Sequence, residues 1–573
     1  MREYDTAYRD FSVELLERQI LKGRLVEGLN ACVECCDRWT DNGRVALEWI
    51  GRDFVRETVT FLALQDAAGR FANLLRSYDI GAGDVVAGLL PRVPELLVVV
   101  LGTWRVGAIY QPLFTAFGPA AIYQRVTHPV GSQAKLIVTD AVNRPKLNEV
   151  PHCPPVLVVD RGRQSASSFA SALASQPTTF EPVTSHGDDP FIAIFTSGTT
   201  GHPKCVRYPL RLLLPVALYM LDGIDLRHSD QYWNVADPGW AYGMLYTVVG
   251  PLLLGHATTM YDGPFTVDST VRLIAGQAIT NLAAAPTVYR LMMAAGDDTV
   301  APIAGQLRVA TSAGEPLNPE VARWCERVLR SPLHDHYGQT ELAMLVNNHH
   351  GLHHPVKPGS AGVAMPGFEL AVLDDALRPV PADTPGTLAV HRTRSPLFTF
   401  AGYWRGETPT FRGEWYLTGD TMQRDADGHF FFVGRNDDII TSAGYRIGPF
   451  DIESIMMEHP AVAEVGVIGK PDPERTEIVK AFVVLRQGHK PSDDLVADLQ
   501  QHVRARLSLH AYPREIEFLP ELPKTPSGKV QRFLLRQRGG MCGSTAIGSE
   551  LQRNSNCTAF SCLANEANAV STI

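Results

Sequence analysis

Phe195-Thr-Ser-Gly-Thr-Thr-Gly-His-Pro-Lys204 follows the apolar run Pro190-Phe-Ile-Ala-Ile-Phe195 and leads into Cys205-Val-Arg-Tyr208. The apolar run predicts a strand entering a flexible, hydroxyl-rich loop. Glycines at 198 and 201 let backbone N–H groups approach an anion, Thr196, Ser197, Thr199 and Thr200 add hydroxyl donors, and Lys204 adds a point charge. That is chemistry suited to a polyphosphate. The spacing Gly198-x-x-Gly201-x-x-Lys204, with no Ser or Thr after the lysine, is not the usual P-loop, which opens a helix. Taken alone, an exposed loop that is merely flexible reads the same way.

At 573 residues the chain is too long for one ordinary domain, and 45% apolar with 20% charged residues is ordinary globular composition. A net charge of −9 gives no electrostatic case for nucleic acid or an anionic membrane as partner. Nine cysteines form no even framework, so disulfides are not expected. Cys32-x-x-Cys35-Cys36 has no second Cys or His pair at zinc spacing and reads as thiols of a helix. Met1-Arg-Glu-Tyr-Asp-Thr6 lacks a basic head and apolar core, and no apolar run is long enough to span a bilayer. The cytoplasm is the expected location.

From about 60 to 190, helical and strand patterns alternate: Phe61 to Tyr78 and Val93 to Arg105 at helix period, Asp84 to Leu90, Gly107 to Leu113, Lys135 to Thr139 and Pro155 to Asp160 as buried strands. This argues for an α/β sheet with covered faces. Ser165 to Asp189 is Ser/Pro/Thr-rich and reads as loop, and Arg211 to Leu221 as helix. Leu282 to Arg290 and Leu307 to Pro316 each read as a strand tip followed by a loop. Open α/β sheets bind ligands beyond the carboxyl ends of their strands, so these loops should converge with Thr196–Lys204. Residues 360 to 433 read as a smaller β-rich subdomain. The expected organisation is a large α/β N-terminal domain of stacked sheets and helices over 1–435, then a small mobile α+β domain over 436–538, then a disordered tail over 539–573. In that small domain a helix is expected to begin at Ile452, and no internal repeat is visible.

Three further stretches, Asp335-His-Tyr-Gly-Gln-Thr-Glu341, Trp415-Tyr-Leu-Thr-Gly-Asp420 and Pro523-Lys-Thr-Pro-Ser-Gly-Lys529, follow the phosphate-type loop, with Gly434-Arg-Asn-Asp-Asp438 between the last two. In set and order they resemble the signatures of the adenylate-forming enzymes: acyl-CoA synthetases, peptide-synthetase adenylation domains and firefly luciferases. The resemblance covers roughly residues 25 to 536, and Gly28 to Trp39 is similar to the opening segment of acetyl-CoA-synthetase-like members.

The resemblance implies that a carboxylic acid attacks the α-phosphorus of ATP, and that the resulting acyl adenylate passes to coenzyme A. Such chemistry rests on positioning anions and neutralising charge. It implies Lys529 as the catalytic lysine bridging carboxylate and α-phosphate, Glu341 as magnesium ligand, and Thr340 at the α-phosphate. Asp420 and Arg435 would take the ribose, and Gly314, Glu315, Pro316, Asp335 and Tyr337 the adenine, Tyr337 by stacking. Arg446 would meet a phosphate. Asp437 matches the hinge, Gly444 the pantetheine passage and Arg504 a contact to the CoA phosphate. Acetate-specific relatives carry a tryptophan where Gly338 stands, and valines at Ala241 and Ala313. With Trp240 and Tyr242 in the same wall, the expected acid is a monocarboxylate longer than acetate. Cys205 and His202 depart from the family pattern, and Cys205 suggests oxidation sensitivity. The rival readings are an enzyme loading a carrier-protein thiol and a non-catalytic nucleotide-binding scaffold.

Overall fold

The computed structural model describes residues 1–160, 169–196, 203–442, 445–472, 475–507, 511–524 and 529–540. A six-stranded sheet runs in the order Val156–Val159, Leu136–Asp140, Val85–Leu89, Ile109–Pro112, Pro190–Thr196, Lys204–Pro209. Its neighbours are parallel except the last pair, a hairpin. The strands are unbroken apolar runs because both faces are covered: Val85–Leu89 is buried throughout, and the following helix Pro94–Arg105 is buried from Leu96 onward.

An eleven-stranded sheet begins with four parallel strands, Tyr232–Asn234, Asn281–Ala284, Val309–Ala313 and Leu333–Gln339. It turns antiparallel at Ala343–Asn347 and continues through Ser360–Ala364, Phe430–Arg435, Trp415–Arg424, Gly386–His391 and Leu370–Leu373. The stretch expected as a smaller β-rich subdomain is hydrogen-bonded onto the parallel strands through Ala343–Asn347 and Ser360–Ala364. A single apolar cluster links the two large sheets through Leu97, Val138, Tyr208, Leu214, Tyr246, Leu345 and Phe430. The helix Leu213–Leu218, buried at every position, contributes to that cluster.

A third sheet joins Thr258–Tyr261, Val45–Ile50 and Arg56–Thr60. Beyond Ile439 a five-stranded sheet forms on its own core, with Thr476–Leu485 paired to Val462–Asp472 on one side and Glu515–Phe518 on the other. Helices Pro449–Met457, Asp493–Arg506 and Arg532–Gly540 belong to this unit. It touches the larger part where Asn318 Nδ2 donates to the Ser454 carbonyl at 3.3 Å and Arg323 meets Glu458 at 3.0 Å.

Several expectations need correction. A helix, Phe169–Ala174, lies inside the segment read as loop, where Phe169 is buried in the core. Asn281–Ala284 runs almost directly into the helix Pro286–Ala294, which proline opens at its first position, rather than into a loop. The helix expected from Ile452 starts earlier, at Pro449, for the same reason. Gly539 and Gly540 complete the last helix, and the rest of the expected tail lies outside the described residues. Cys32, Cys35 and Cys36 are buried thiols in or beside the helix Ala31–Cys35, as expected. Among the described residues no helix is long and apolar enough to cross a membrane.

Candidate active site

The hairpin that carries the phosphate-type loop places Thr196 opposite Lys204. Ser197, Gly198, Thr199, Thr200, Gly201 and His202 lie outside the described residues. Two elements from the other large sheet close on this hairpin. The Tyr208 phenol donates to the Thr340 carbonyl, and the Lys204 ammonium sits 4.9 Å from the ring centre of Tyr403. Tyr403 donates its hydroxyl to Glu341 Oε1 at 2.7 Å. The lysine, Thr340 and Glu341 are thus gathered at the carboxyl end of Leu333–Gln339, where the parallel strands point.

Asp420 is the cross-strand partner of Arg435. Its Oδ2 accepts from the Tyr337 hydroxyl at 2.6 Å and from Gln339 Nε2 at 2.7 Å, while Arg435 Nη1 stands 3.9 Å from Oδ1. Burial pushes the Asp420 carboxyl above its ordinary pKa, against the pull of Arg435. The short bonds fall on Oδ2, and Oδ1 has Arg435 as its more distant neighbour. Glu341 is also raised by burial and opposed by the bond from Tyr403. Asp335, which accepts from Ser312 Oγ at 2.9 Å, is pushed up by burial to about 7. Gly314 has a φ of +96°, a conformation favouring glycine, and opens the turn to Glu315 and Pro316. Glu315 is held through Oε2 by Thr287 and Arg290, each at 2.8 Å.

Lys529 reaches this site from the C-terminal unit. Its side chain keeps solvent access, yet the cleft walls desolvate its ammonium and lower its pKa, while the carboxylates of Glu315 and then Asp420 pull the other way. A lysine 109 positions beyond Asp420 therefore lies within electrostatic reach of that carboxylate.

Along the expected acyl wall, Trp240 packs its ring 5.3 Å from Phe114 and 5.4 Å from Phe117. Ala241 opens a short helix, Tyr242 lies 5.3 Å from Tyr246, and Ala313 ends a strand at 1% exposure. Gly338 has a reason of its own. A Cβ there would lie 2.2 Å from the Ala343 carbonyl, at a bulge in the pairing with Ala343–Asn347.

The residues assigned to the later step are less gathered. Asp437 accepts from Arg435 Nε at 3.1 Å, and Arg504 lies exposed with its guanidinium 4.7 Å from the ring centre of Tyr512. Arg446 lies on the strand Tyr445–Ile447, and Gly444 falls outside the described residues. Cys205 is 1% exposed, and burial pushes its thiol up to about 12. The expected oxidation sensitivity does not suit a thiol so protected.

Glu341 offers a hard oxygen donor bonded by Tyr403, and among the described residues no group of three His, Cys, Asp or Glu side chains is placed to hold a metal ion. One carboxylate, with phosphate oxygens and water completing the shell, fits magnesium. Sequence reading passed over Tyr403, Tyr208 and Gln339. Gln339 lay inside a quoted motif and bonds Asp420, Tyr416 and the Thr418 carbonyl. The two tyrosines lie outside every motif, and only their contacts reveal them.

The family described as AMP-binding enzyme matches residues 38–404, and the AMP-binding enzyme C-terminal domain matches 451–529. The acetyl-coenzyme A synthetase of Bacillus subtilis is 37% identical, over 94% of this chain and 95% of its own. The mitochondrial acyl-coenzyme A synthetase ACSM3 of Mus musculus is 32% identical, over 94% and 95%. Among solved structures, an acyl-CoA synthetase of Brucella canis is 52% identical with a TM-score of 0.77, over 94% of this chain and 99% of that one. The anthranilate CoA ligase AuaEII, in complex with anthranoyl-AMP, is 27% identical with a TM-score of 0.80, over 89% and 97%. The chain belongs to the AMP-binding enzyme family. Within it, the chain is an acid–thiol ligase of the AMP-forming acyl-CoA synthetase class, whose members use ATP, magnesium and coenzyme A.

Proposed function

We propose that the acid this synthetase activates is a monocarboxylate longer than acetate, medium-chain aliphatic or aromatic. The small side chains at Ala241 and Ala313 carry the reading of the acid, and for the reaction the charges of Glu315 and Asp420 reach the Lys529 ammonium. A flexible ammonium there neutralises the carboxylate and the α-phosphate as they approach, which lowers the barrier by electrostatics and orientation alone. Thr196 and Lys204 cradle the phosphates, Thr340 meets the α-phosphate, Glu341 takes the magnesium, and Asp420 with Arg435 takes the ribose.

Residues 1–435 and 436–538 serve as the two domains. Asp437 acts as the hinge that withdraws Lys529 before the thiol attacks. Arg446 contacts phosphate, and Gly444 and Arg504 meet the incoming coenzyme A. The small side chains of Ala241 and Ala313 support the longer acid, because neither fills the wall beside Trp240 and Tyr242. The names of relatives span acetyl-CoA synthetase and anthranilate CoA ligase, so they leave the chain length to be measured. One methylene in such a pocket is worth about 1–3 kcal/mol, and discrimination between neighbouring acids will be gradual.

Pyrophosphate release with ATP, magnesium and acids from acetate to decanoate plus benzoate, with and without coenzyme A, tests this. We expect release that peaks beyond acetate, rises with coenzyme A and disappears in Lys529→Ala. A sharp preference for acetate overturns the acid. Release indifferent to coenzyme A points to a carrier-protein thiol, and no release with any acid points to a scaffold.

A further inference from the structure

Lys204 and Glu341 come from different sheets, yet both meet one side chain. Tyr403 donates its hydroxyl to Glu341 Oε1 at 2.7 Å, and its ring centre lies 4.9 Å from the Lys204 ammonium. The tyrosine is itself pinned. Its backbone N–H donates to Thr408 Oγ1 at 2.9 Å, and Phe400 packs against it with ring centres 5.1 Å apart. The next N–H, of Trp404, donates to the Cys205 carbonyl at 2.9 Å, a backbone bridge to the residue after Lys204. From that same hairpin strand Tyr208 holds the carbonyl of Thr340, the residue before Glu341. Two phenols thus tie the phosphate hairpin to the Thr340–Glu341 turn.

We propose that Tyr403 is a positioning residue that couples the lysine of the phosphate loop to the carboxylate of the metal site. The inference rests on the reading of Glu341 as the magnesium ligand. A carboxylate with no donor rotates and offers its lone pairs poorly. A charge-assisted bond from a pinned phenol stops that rotation and sets which lone pairs face the phosphates. Donors of this outer kind typically change metal affinity by about 10- to 100-fold. The ring face meanwhile holds the Lys204 ammonium in place by a contact weak enough for a triphosphate to displace.

The test uses the full chain, Mn2+ as the metal probe and a non-hydrolysable ATP analogue at saturation, with bound Mn2+ read by electron paramagnetic resonance. Tyr403→Phe keeps the ring and removes the hydroxyl. We expect its Mn2+ dissociation constant to rise about tenfold or more, with the unfolding midpoint and the nucleotide affinity in EDTA unchanged. Tyr403→Leu removes the ring as well, and should also weaken nucleotide binding in EDTA. Unchanged Mn2+ affinity in Tyr403→Phe overturns the proposal. So does an equal loss of nucleotide affinity with and without metal, which marks general loosening. Glu341→Gln measured in parallel separates the two readings. If it too leaves Mn2+ binding unchanged, the metal-site assignment fails; if it weakens binding while Tyr403→Phe does not, only the coupling fails.

Discussion

The Tyr337 hydroxyl donates to Asp420 Oδ2 at 2.6 Å, although three strands separate their own strands in the eleven-stranded sheet. The sheet must curl for the two side chains to meet. Tyr337→Phe leaves a buried carboxylate with one donor fewer. We expect a loss of about 1–2 kcal/mol in urea unfolding and a rise in the KM for ATP, with kcat less affected. An unchanged KM would separate Asp420 from nucleotide binding.

Gly338 tests whether the acyl pocket is set by missing bulk or by backbone approach. A Cβ there collides with the Ala343 carbonyl and with Met344. Overpacking of this kind costs about 1–3 kcal/mol. Gly338→Ala should therefore lower the unfolding midpoint and slow every acid alike. Ala313→Val, at a buried strand end, should instead shift preference toward shorter acids in the same panel.

Buried histidines predict acid lability. Burial lowers His334 to about 4 and His336 to about 3; their rings bond the Asn348 carbonyl at 2.8 and 3.1 Å. Unfolded, both bind protons near the ordinary value, so between about 6.5 and 4 the unfolded chain binds more protons. Stability then falls as pH drops through that window, by up to about 1.4 kcal/mol per ring for each pH unit. Urea unfolding from pH 7 to pH 4 measures this, and His336→Gln should flatten the slope.

Asp335 acts in the opposite sense. Its folded pKa of about 7 stands above the ordinary carboxylate value, so the folded chain binds the extra proton between about 4 and 7. This single group lowers stability as pH rises through that window. Asp335→Asn should therefore gain relative to the wild type at pH 8 compared with pH 5, provided the bond from Ser312 is kept.

Cys205 should resist alkylation in the folded enzyme at neutral pH, since the thiolate is the reactive form and the side chain is enclosed. Full activity after iodoacetamide, with Cys205 unmodified by mass spectrometry, is the expected result. Modification at Cys205 with loss of activity would restore an oxidation-sensitive loop.

The sequence by itself determined the alternation of strand and helix, the order of the motifs and the family they mark. These are local matters: periodicity and turn chemistry act over a few residues, and Pro190–Thr196 or Pro94–Arg105 can be read from their own composition. Only the tertiary structure decided what those motifs touch. Tyr403 meets Glu341 across 62 positions and Tyr208 meets Thr340 across 132, with no signal at either tyrosine, because those contacts depend on how two sheets close on a shared core. Packing also sealed Cys205, a bulge between neighbouring strands gave Gly338 a backbone neighbour in place of open space, and the C-terminal unit set Lys529 within electrostatic reach of Glu315 and Asp420. A side chain's type is written in the sequence, but its partner is set by packing between segments far apart along the chain.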